Sequence, residues 1–306
     1  MIDKLEYLLA LAQEKHFGRA ADACAVSQPS LSLGLKQLEE TLGVMLVQRG
    51  SRFIGLTEEG ERTLEWARRI VGDARAMRQD IKALKQGLNG RLRIAAIPAA
   101  LPMVATVTQP LHQRHPEVQF RILSRPWSQI SSLLDNLEID AAVAYIDLEP
   151  LTRVTAIPLY RERYQLLTSG DAPFGKRRQA TSQVTWAEVA ELPLCLLTTD
   201  TQNRRMIESL LRGAGGHPRI TVESDSMMVL FAHVRTGAWA SVVPESLLRA
   251  TGVGRELTAL PIVEPDVVHT IGLVMPARDP MSPLAAALAT EARRTAAQLM
   301  QQAPAN

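Results

Sequence analysis

Seven apolar residues spaced three or four apart limit most strongly what this chain can fold into. Their successive steps are four, three, three, four, three and four, the spacing of one narrow face of a single α-helix. Such a helix has about 30 residues and a length of roughly 45 Å, at 1.5 Å per residue. It separates a short N-terminal segment from the larger part of the chain. The seven residues are Ala67, Val71, Ala74, Met77, Ile81, Leu84 and Leu88.

A face this narrow is typical of helices that pair with another helix. Arginines and lysines alternate with acids beside it, and Gly87 and Gly90 bound its C-terminal end. We therefore interpret residues 59–89 as a linker helix that pairs with a second copy of the chain. The alternative is a helix that packs on its own domain.

The composition predicts a soluble protein of two domains. Of the 306 residues, 46% are hydrophobic and 22% charged, which allows large cores. The net charge is only +2, so nucleic-acid binding would require local placement of basic residues. The N-terminus lacks a signal-peptide pattern, and no apolar run reaches the roughly 20 residues that span a bilayer. We expect a cytoplasmic protein with no membrane partner.

The residues that carry enzyme chemistry are not grouped. Cys24 and Cys195 are far apart and in no CxxC pair, which argues against a disulfide scaffold or a zinc finger. The histidines are scattered, and no glycine-rich phosphate loop, nucleophilic triad or metal cluster emerges. The sequence therefore predicts neither an enzyme nor a bound cofactor or metal.

The first 58 residues predict a winged helix-turn-helix domain. An apolar stripe over residues 17–24 is followed by a short turn and by a helix that begins at Ser27. Ser27 is a good N-cap, and Pro29 stands in the first turn, where its missing N–H costs nothing. Two short apolar arms around residues 50–51 then predict a β-hairpin, the wing.

A helix-turn-helix places its second helix in the major groove of DNA, which requires short polar groups at the helix start. Gln28 can read adenine through its amide, and Lys36 can reach guanine or the backbone. Arginines on the wing would contact phosphates or the minor groove. Alone, the serine-rich start also fits an ordinary capped helix; the flanking helix and wing favour double-stranded DNA. The predicted DNA-binding residues are Arg19, Ser27, Gln28, Pro29, Ser30, Ser32, Lys36, Arg49 and Arg52.

After Gly90, alternating strands and helices predict an α/β regulatory domain with mostly parallel sheets. With the N-terminal winged helix-turn-helix and the linker helix, the predicted fold class is α+β overall. A late strand and the C-terminal helix would return to the first sheet. This divides residues 90–306 into subdomain I (90–161 and 268–306) and an inserted subdomain II (162–267). Crossing strands around residues 159–161 and 267–270 would form the hinge between them. Strands are predicted at 92–97, 118–123, 141–146, 164–168, 194–197, 240–243 and 271–275, and helices at 103–114, 128–137, 204–213, 227–237 and 283–300.

The N-terminal motifs resemble the LysR-type transcriptional regulators. The resemblance is dense over residues 1–65 and looser at residues 237–244. It implies a homotetramer, built as a dimer of dimers, that acts on promoter or operator DNA; RNA polymerase is a further expected partner. Leu33-Gly34 departs from the pattern, since many relatives have a large polar or basic pair there. The matching stretches are Phe17-Gly18-Arg19-Ala20-Ala21, Ser27-Gln28-Pro29-Ser30-Leu31-Ser32, Lys36-Gln37-Leu38-Glu39, Leu42-Gly43, Arg49 and Leu56-Thr57-Glu58-Glu59-Gly60.

The resemblance also implies two Rossmann-like subdomains, as in periplasmic binding proteins, with an effector bound between them. Ligands in such clefts bind at the carboxyl ends of strands and the amino ends of helices. Hydroxyls and free N–H groups there suit a small anion such as a carboxylate, although each hydroxyl could simply cap a helix. The turn after the first strand offers no hydroxyl where many relatives have one. The predicted effector-binding residues are Pro98, Ala99, Ala100, Ser128, Thr198, Thr199, Thr201, Asn203, Ser226 and His269.

Two alternatives to a metabolite-controlled regulator remain at this point. One is a cytoplasmic solute-binding protein whose N-terminal part does not bind DNA. The other is a thiol-based redox sensor, which would need two cysteines able to meet; burial of both Cys24 and Cys195 is the simpler interpretation.

Overall fold

The computed structural model describes residues 1–48, 53–170, 182–252, 254 and 256–302. The chain divides into two compact units. The first unit contains Met1–Leu88 with the short segments Asp135–Glu138 and Arg278–Pro283, and the second contains the remainder of the chain. In the described ranges, no helix is long and apolar enough to cross a membrane.

Helices dominate the described part of the first unit. They are α1 (Ile2–Glu14), α2 (Phe17–Ala23), α3 (Gln28–Leu42) and α4 (Glu58–Gln86). Their starts follow from local capping: His16 accepts backbone N–H groups of α2, Ser27 caps α3 and Thr57 caps α4. The core includes Leu8, Leu11, Leu31, Leu38, Leu46, Ala67 and Val71.

The two arms of the predicted wing pair as expected. Val47 and Leu56 form an antiparallel bridge, and the backbone N–H of Gln48 donates to the carbonyl of Gly55 at 3.0 Å. The tip of the wing, with Arg49 and Arg52, lies outside the described residues.

The apolar face of α4 behaves differently along its length. Ala67, Val71 and Ala74 are buried within the first unit, as the own-domain alternative requires. Met77, Ile81 and Leu84 continue the same face but are 57%, 49% and 82% exposed. The C-terminal half of the face is therefore left for another surface.

A five-stranded sheet organises the first part of the second unit, in the order β2-β1-β3-β11-β4. β1 pairs in parallel with β2 and β3, whereas β11 pairs antiparallel with β3 and β4. The strands are β1 (Gly90–Ala96), β2 (Val118–Ser124), β3 (Ala141–Tyr145), β4 (Val154–Glu162) and β11 (His269–Pro276), with a 3-10 helix (Pro98–Val104) and helices α5 (Ala105–Arg114), α6 (Trp127–Asp135) and α11 (Pro283–Gln302).

A four-stranded sheet of order β6-β10-β5-β9 and a parallel pair, β7-β8, organise the rest of the second unit. The strands are β5 (Tyr164–Ser169), β6 (Val184–Thr185), β7 (Pro193–Leu197), β8 (Arg219–Ser224), β9 (Ser241–Pro244) and β10 (Leu257–Val263). The helices are α7 (Trp186–Ala190), α8 (Gln202–Gly213), α9 (Met227–Arg235) and α10 (Glu245–Thr251).

The prediction of mostly parallel sheets is wrong. Both sheets are mixed, because the strands that lead into and out of the second sheet run against their neighbours: β4 against β11, and β5 against β10. The sequence analysis also missed β6, β8, β10, α7 and α10, and it identified only the end of β4, around residues 159–161. Pro158 lies within β4, where it is tolerated because β4 is an edge strand.

Two short crossings join the sheets. The chain leaves the first sheet between Glu162 and Tyr164, and returns to it between Val263 and His269. Both crossings lie side by side at one end of the first sheet, since Glu162 is the register partner of His269. A hinge between the sheets would have to be located here.

Candidate functional site

The predicted DNA-reading side chains share the exposed face of α3. Leu31, Leu35 and Leu38 are buried on the opposite face, so periodicity turns the polar residues to solvent. The Ser27 hydroxyl accepts the backbone N–H of Ser30 at 3.3 Å and lies 2.8 Å from the Ser30 hydroxyl. The exposed predicted residues are Ser27, Gln28, Pro29, Ser30, Ser32 and Lys36.

The unusual Leu33-Gly34 pair has a clear structural basis at Gly34. A Cβ at Gly34 would lie 2.7 Å from the ring of Tyr7, so the glycine permits close packing of α1 on α3. Leu33 is exposed on the same helix. Large side chains are therefore excluded at one position of the pair, and the other presents an apolar group where DNA would lie.

The basic residues predicted to bind DNA differ in how closely an acid neighbours them. Arg19 lies on α2, and its Nε donates to Glu14 at 3.2 Å, so its guanidinium is already paired. Lys36 is exposed, with Glu40 only at the 4.0 Å limit of an ion pair.

A cavity of about 510 Å³ lies in the second unit at the carboxyl ends of four parallel strands. β1 and β2 supply one wall and β7 and β8 the other, so the cavity lies between the two sheet systems. This is where ligands bind in open α/β sheets, and the volume fits a small molecule. The described lining is Pro98, Leu101, Pro102, Ser124, Arg125, Pro126, Gln129, Thr198, Asp200, Thr201, Asp225, Ser226, Met227, Met228, Phe231, Leu247 and Thr251.

Four of the predicted effector residues line this cavity: Pro98, Thr198, Thr201 and Ser226. Thr201 is committed to structure, since its hydroxyl caps α8 and also donates to the carbonyl of Thr198 at 2.8 Å. Ser226 stands at the N-cap of α9, yet its side chain makes no capping hydrogen bond. The Ser226 hydroxyl is thus the freer of the two.

The other predicted effector residues are not among the described lining. Ala99 and Ala100 are buried in the 3-10 helix, because that helix turns them into the core. Ser128 and Thr199 are exposed beside the cavity. Asn203 and His269 lie elsewhere, in a buried polar network.

That network connects both sheets through the hydroxyl of Tyr145. It accepts hydrogen bonds from the hydroxyl of Tyr164 at 3.0 Å and from Nδ2 of Asn203 at 3.1 Å. The ring of His269 packs edge-on against both tyrosines, and its Nδ1 lies 3.5 Å from Asp147. Burial raises the pKa of both tyrosines, so they stay neutral hydrogen-bonding groups.

A second buried polar contact lies at the same crossing. The carboxylate of Glu162 accepts the backbone N–H of Ser246 at 3.1 Å and also contacts the Ser246 hydroxyl, at the start of α10. Burial raises the pKa of Glu162 to about 7, although the hydrogen bonds from Ser246 lower it.

Sequence reasoning missed the charged part of the lining, Arg125, Asp200 and Asp225. A signal was available for the two acids, since Asp200 and Asp225 directly precede the predicted caps Thr201 and Ser226. Arg125 follows β2 by one residue, but nothing local shows which way that turn faces.

Both cysteines are poorly suited to redox chemistry. Cys195 is fully buried on β7, and burial raises the pKa of its thiol to about 11. Cys24 is only partly buried, so the interpretation that both cysteines are buried is correct for Cys195 alone. Partial burial and the nearby charge of Glu6 still raise the pKa of Cys24. The reactive form of cysteine is the thiolate, which both environments disfavour.

Comparisons with known families agree with this architecture. Residues 2–61 match the family described as bacterial regulatory helix-turn-helix protein, lysR family, and residues 85–297 match the LysR substrate binding domain. The DNA-binding transcriptional dual regulator OxyR of Escherichia coli (strain K12) is 28% identical over 274 residues, which cover 89% of this chain and 88% of that protein. A probable hydrogen peroxide-inducible genes activator of Mycobacterium avium is 29% identical over 273 residues, covering 88% of this chain and 86% of that protein.

Solved structures extend the similarity to the whole chain. A full-length OxyR variant from Pseudomonas aeruginosa is 26% identical, with a TM-score of 0.73, over 96% of this chain and 94% of that one. Full-length CbnR complexed with its target DNA has a TM-score of 0.60 at 21% identity, over 96% of this chain and 99% of that one; it supports the fold alone.

A helix-turn-helix unit, a long helix and an α/β unit with a ligand-sized cavity together define a DNA-binding regulator with a ligand-binding domain. The chain belongs to the LysR family of bacterial transcriptional regulators. Like its relatives, it is a regulator of transcription and not an enzyme.

Proposed function

We propose that α3 enters the major groove of operator DNA and that Gln28, Ser32 and Lys36 contact it. The support is that Gln28, Ser32 and Lys36 are exposed on α3, while Leu31, Leu35 and Leu38 are buried on its other face. Arg49 and Arg52 of the wing, together with Arg19 once released from Glu14, would contact phosphates. In this proposal residues 1–58 bind DNA, residues 59–89 link and dimerise, and residues 90–306 sense the effector.

The test is binding to the DNA upstream of the protein's own gene, measured by fluorescence anisotropy against a shuffled duplex. Gln28→Ala should weaken specific binding about tenfold or more, since a bidentate amide–adenine contact is worth roughly 1–3 kcal/mol. Gln86→Ala, an exposed glutamine at the end of α4, is the matched control. Equal affinities for both variants would contradict the assignment of α3.

We propose further that the cavity in the second unit binds the effector, a small molecule with an anionic group such as a carboxylate. Ser226, Thr198 and the guanidinium of Arg125 are the groups that suit the anion. The ligand would close the two walls of the cavity about the crossings at Glu162 and His269. This closure would shift the regulator from an open to a closed state, to an extent set by the difference between the ligand's affinities for the two states.

The exposed half of the α4 face supports the proposed self-association as a dimer of dimers. Leu84→Glu should dissociate it, because it places a charge at the most exposed position of the apolar face. Gln86→Glu makes the same change in charge two residues away, and should leave sedimentation unchanged. We propose that the protein acts on promoter DNA in the cytoplasm and contacts RNA polymerase there.

Peroxide sensing is the second candidate, because several relatives are named hydrogen peroxide-inducible genes activators. The burial and raised pKa of Cys195 argue against it here. Cys195→Ser should therefore leave the operator affinity unchanged with and without hydrogen peroxide. Loss of an oxidant response in Cys195→Ser, where the wild type shows one, would instead establish the redox function.

A further inference from the structure

The charged groups of the cavity are divided between its two walls. Arg125 comes from the turn between β2 and α6, on the first sheet. Asp200 and Asp225 come from the turns after β7 and β8, on the opposite wall. The described lining thus presents a cation on one side and two carboxylates on the other.

None of these three charges is neutralised by the described part of the chain. The guanidinium of Arg125 donates to the carbonyl of the adjacent Ser124 at 2.7 Å, and no described ion pair involves Arg125, Asp200 or Asp225. Other exposed acids in this unit do find partners: Glu149 pairs with Arg205 and Asp266 with Arg163. The cavity therefore concentrates charges that remain available to a ligand.

The position of Asp200 and Asp225 could be explained by helix stabilisation alone, but their contacts support this explanation only in part. An acid just before a helix is stabilised by the helix dipole. However, Asp200 makes no capping bond, since Thr201 caps α8, and α9 has no side-chain cap although Asp225 stands beside it. The guanidinium of Arg205 donates to the backbone carbonyl of Asp200 at 3.0 Å, but its ion pair is with Glu149. The described lining therefore contains two carboxylates that do not cap their helices and one guanidinium.

This charge distribution disfavours a ligand that is only an anion. A dicarboxylate that reached both walls would bring one carboxylate against Asp200 and Asp225, and like charges at short range repel. A ligand with one group of each sign would be attracted to both walls and would draw them together. Between the charges, Leu101, Met227 and Phe231 offer apolar surface.

We propose that the effector is a zwitterion of amino-acid size with an apolar side chain, its carboxylate on Arg125 and its ammonium group between Asp200 and Asp225. This inference rests on the proposed effector cavity and specifies what that cavity selects. Binding at both walls would also couple occupancy to closure of the two sheets.

The test is isothermal titration calorimetry on the full-length protein at neutral pH. The probes are the proteinogenic amino acids with apolar side chains, each compared with the carboxylic acid that lacks the amine and the amine that lacks the carboxylate. Phenylalanine, 3-phenylpropionate and phenethylamine form one such set. We expect at least one amino acid to bind about tenfold or more tightly than both of its singly charged analogues.

Two variants assign the walls. Asp225→Asn should remove the advantage of the amino acid over its acid analogue, and Arg125→Gln should remove its advantage over its amine analogue. The matched controls are Glu191→Gln and Arg121→Gln, exposed residues of the same unit outside the described lining. Both should bind as the wild type does.

The failures are distinguishable. If acid analogues bind as tightly as amino acids, or if no amino acid in the set binds, the zwitterion inference is wrong, while operator binding and the cavity assignment stand. If a probe binds but both Arg125→Gln and Ser226→Ala leave its affinity unchanged, the ligand lies outside this cavity and the proposed effector site itself is wrong.

Discussion

The first unit builds its site from one helix, whereas the second assembles its site from four turns. On α3, one run of fifteen residues carries both the buried leucines and the exposed DNA-reading groups. The cavity takes most of its lining from the turns after β1, β2, β7 and β8, which are widely separated in the sequence: β1 ends at Ala96 and β8 at Ser224. A site of the first kind depends on local periodicity, and a site of the second kind depends on how sheets pack.

The largest expected effect tests whether the first unit can unfold while the second stays folded. Gly60 allows α4 to start against the first arm of the wing, since a Cβ there would lie 2.1 Å from the backbone oxygen of Leu46. Gly60→Ala should destabilise the first unit by about 3 kcal/mol or more, because backbone must move, and should abolish DNA binding.

The control is Gly213→Ala, at the end of α8 in the second unit, where a Cβ would meet nothing within 4 Å. That change should be neutral or stabilise by up to about 1 kcal/mol. Hydrogen–deuterium exchange would resolve the two units. Equal loss of protection in both units of Gly60→Ala would break the distinction between them.

A pH dependence should belong to the second unit. The pKa of Glu162 is raised to about 7 in the folded protein by burial, above that of an unfolded glutamate. The folded state therefore binds the proton more tightly, and stability falls as pH rises from about 4.5 to 7. Glu162→Gln should remove this slope and stabilise the protein by up to about 2–3 kcal/mol at pH 8.

Denaturant unfolding of wild type and Glu162→Gln at pH 5 and pH 8, followed by tryptophan fluorescence, measures this effect. Glu245→Gln, the neighbouring acid at the start of α10, is the control for a general charge effect. A wild-type slope that survives in Glu162→Gln would assign the titration to another group.

The contrast between the sites also explains what the sequence could predict. Ser27 and the leucine spacing determine α3 locally, so the whole face follows from one stretch of sequence. In the second unit, capping chemistry identifies Thr201 and Ser226, but not the direction of their neighbours. Asn203 lies two residues after Thr201, about 200° around the helix, and so contacts Tyr145 rather than the cavity.

The missed and misplaced lining residues have a common cause. Arg125 lies at the end of β2, and only the packing of one sheet opposite another shows that its turn faces a cavity. Ala99 and Ala100 follow β1 as predicted, but the 3-10 helix buries them. The mixed direction of the sheets was equally invisible, since strand direction depends on which strands become neighbours.

A smaller effect tests the network that joins the two sheets. Tyr145→Phe removes the oxygen that accepts from Tyr164 and Asn203, leaving two buried donors without that partner. We expect a loss of about 1–3 kcal/mol in the unfolding free energy of the second unit. Tyr7→Phe, in the first unit, should leave that transition unchanged. Additive effects of Tyr145→Phe and Tyr164→Phe would show that the two hydroxyls are not coupled.

The smallest expected effect tests whether Lys36 on α3 contacts DNA phosphates or recognises a base. Lys36 is exposed at a surface that would face DNA, with only Glu40 nearby, so it should contribute a phosphate contact more than base recognition. Lys36→Gln should weaken binding to specific and shuffled duplexes alike, and should reduce the slope of log affinity against log salt by about 0.9. Lys15→Gln, beyond the end of α1, is the matched control. If Lys36→Gln instead changes the preferred base at one operator position and leaves the salt slope unaltered, Lys36 reads the sequence, and the local α3 site carries one more base contact than its periodicity reveals.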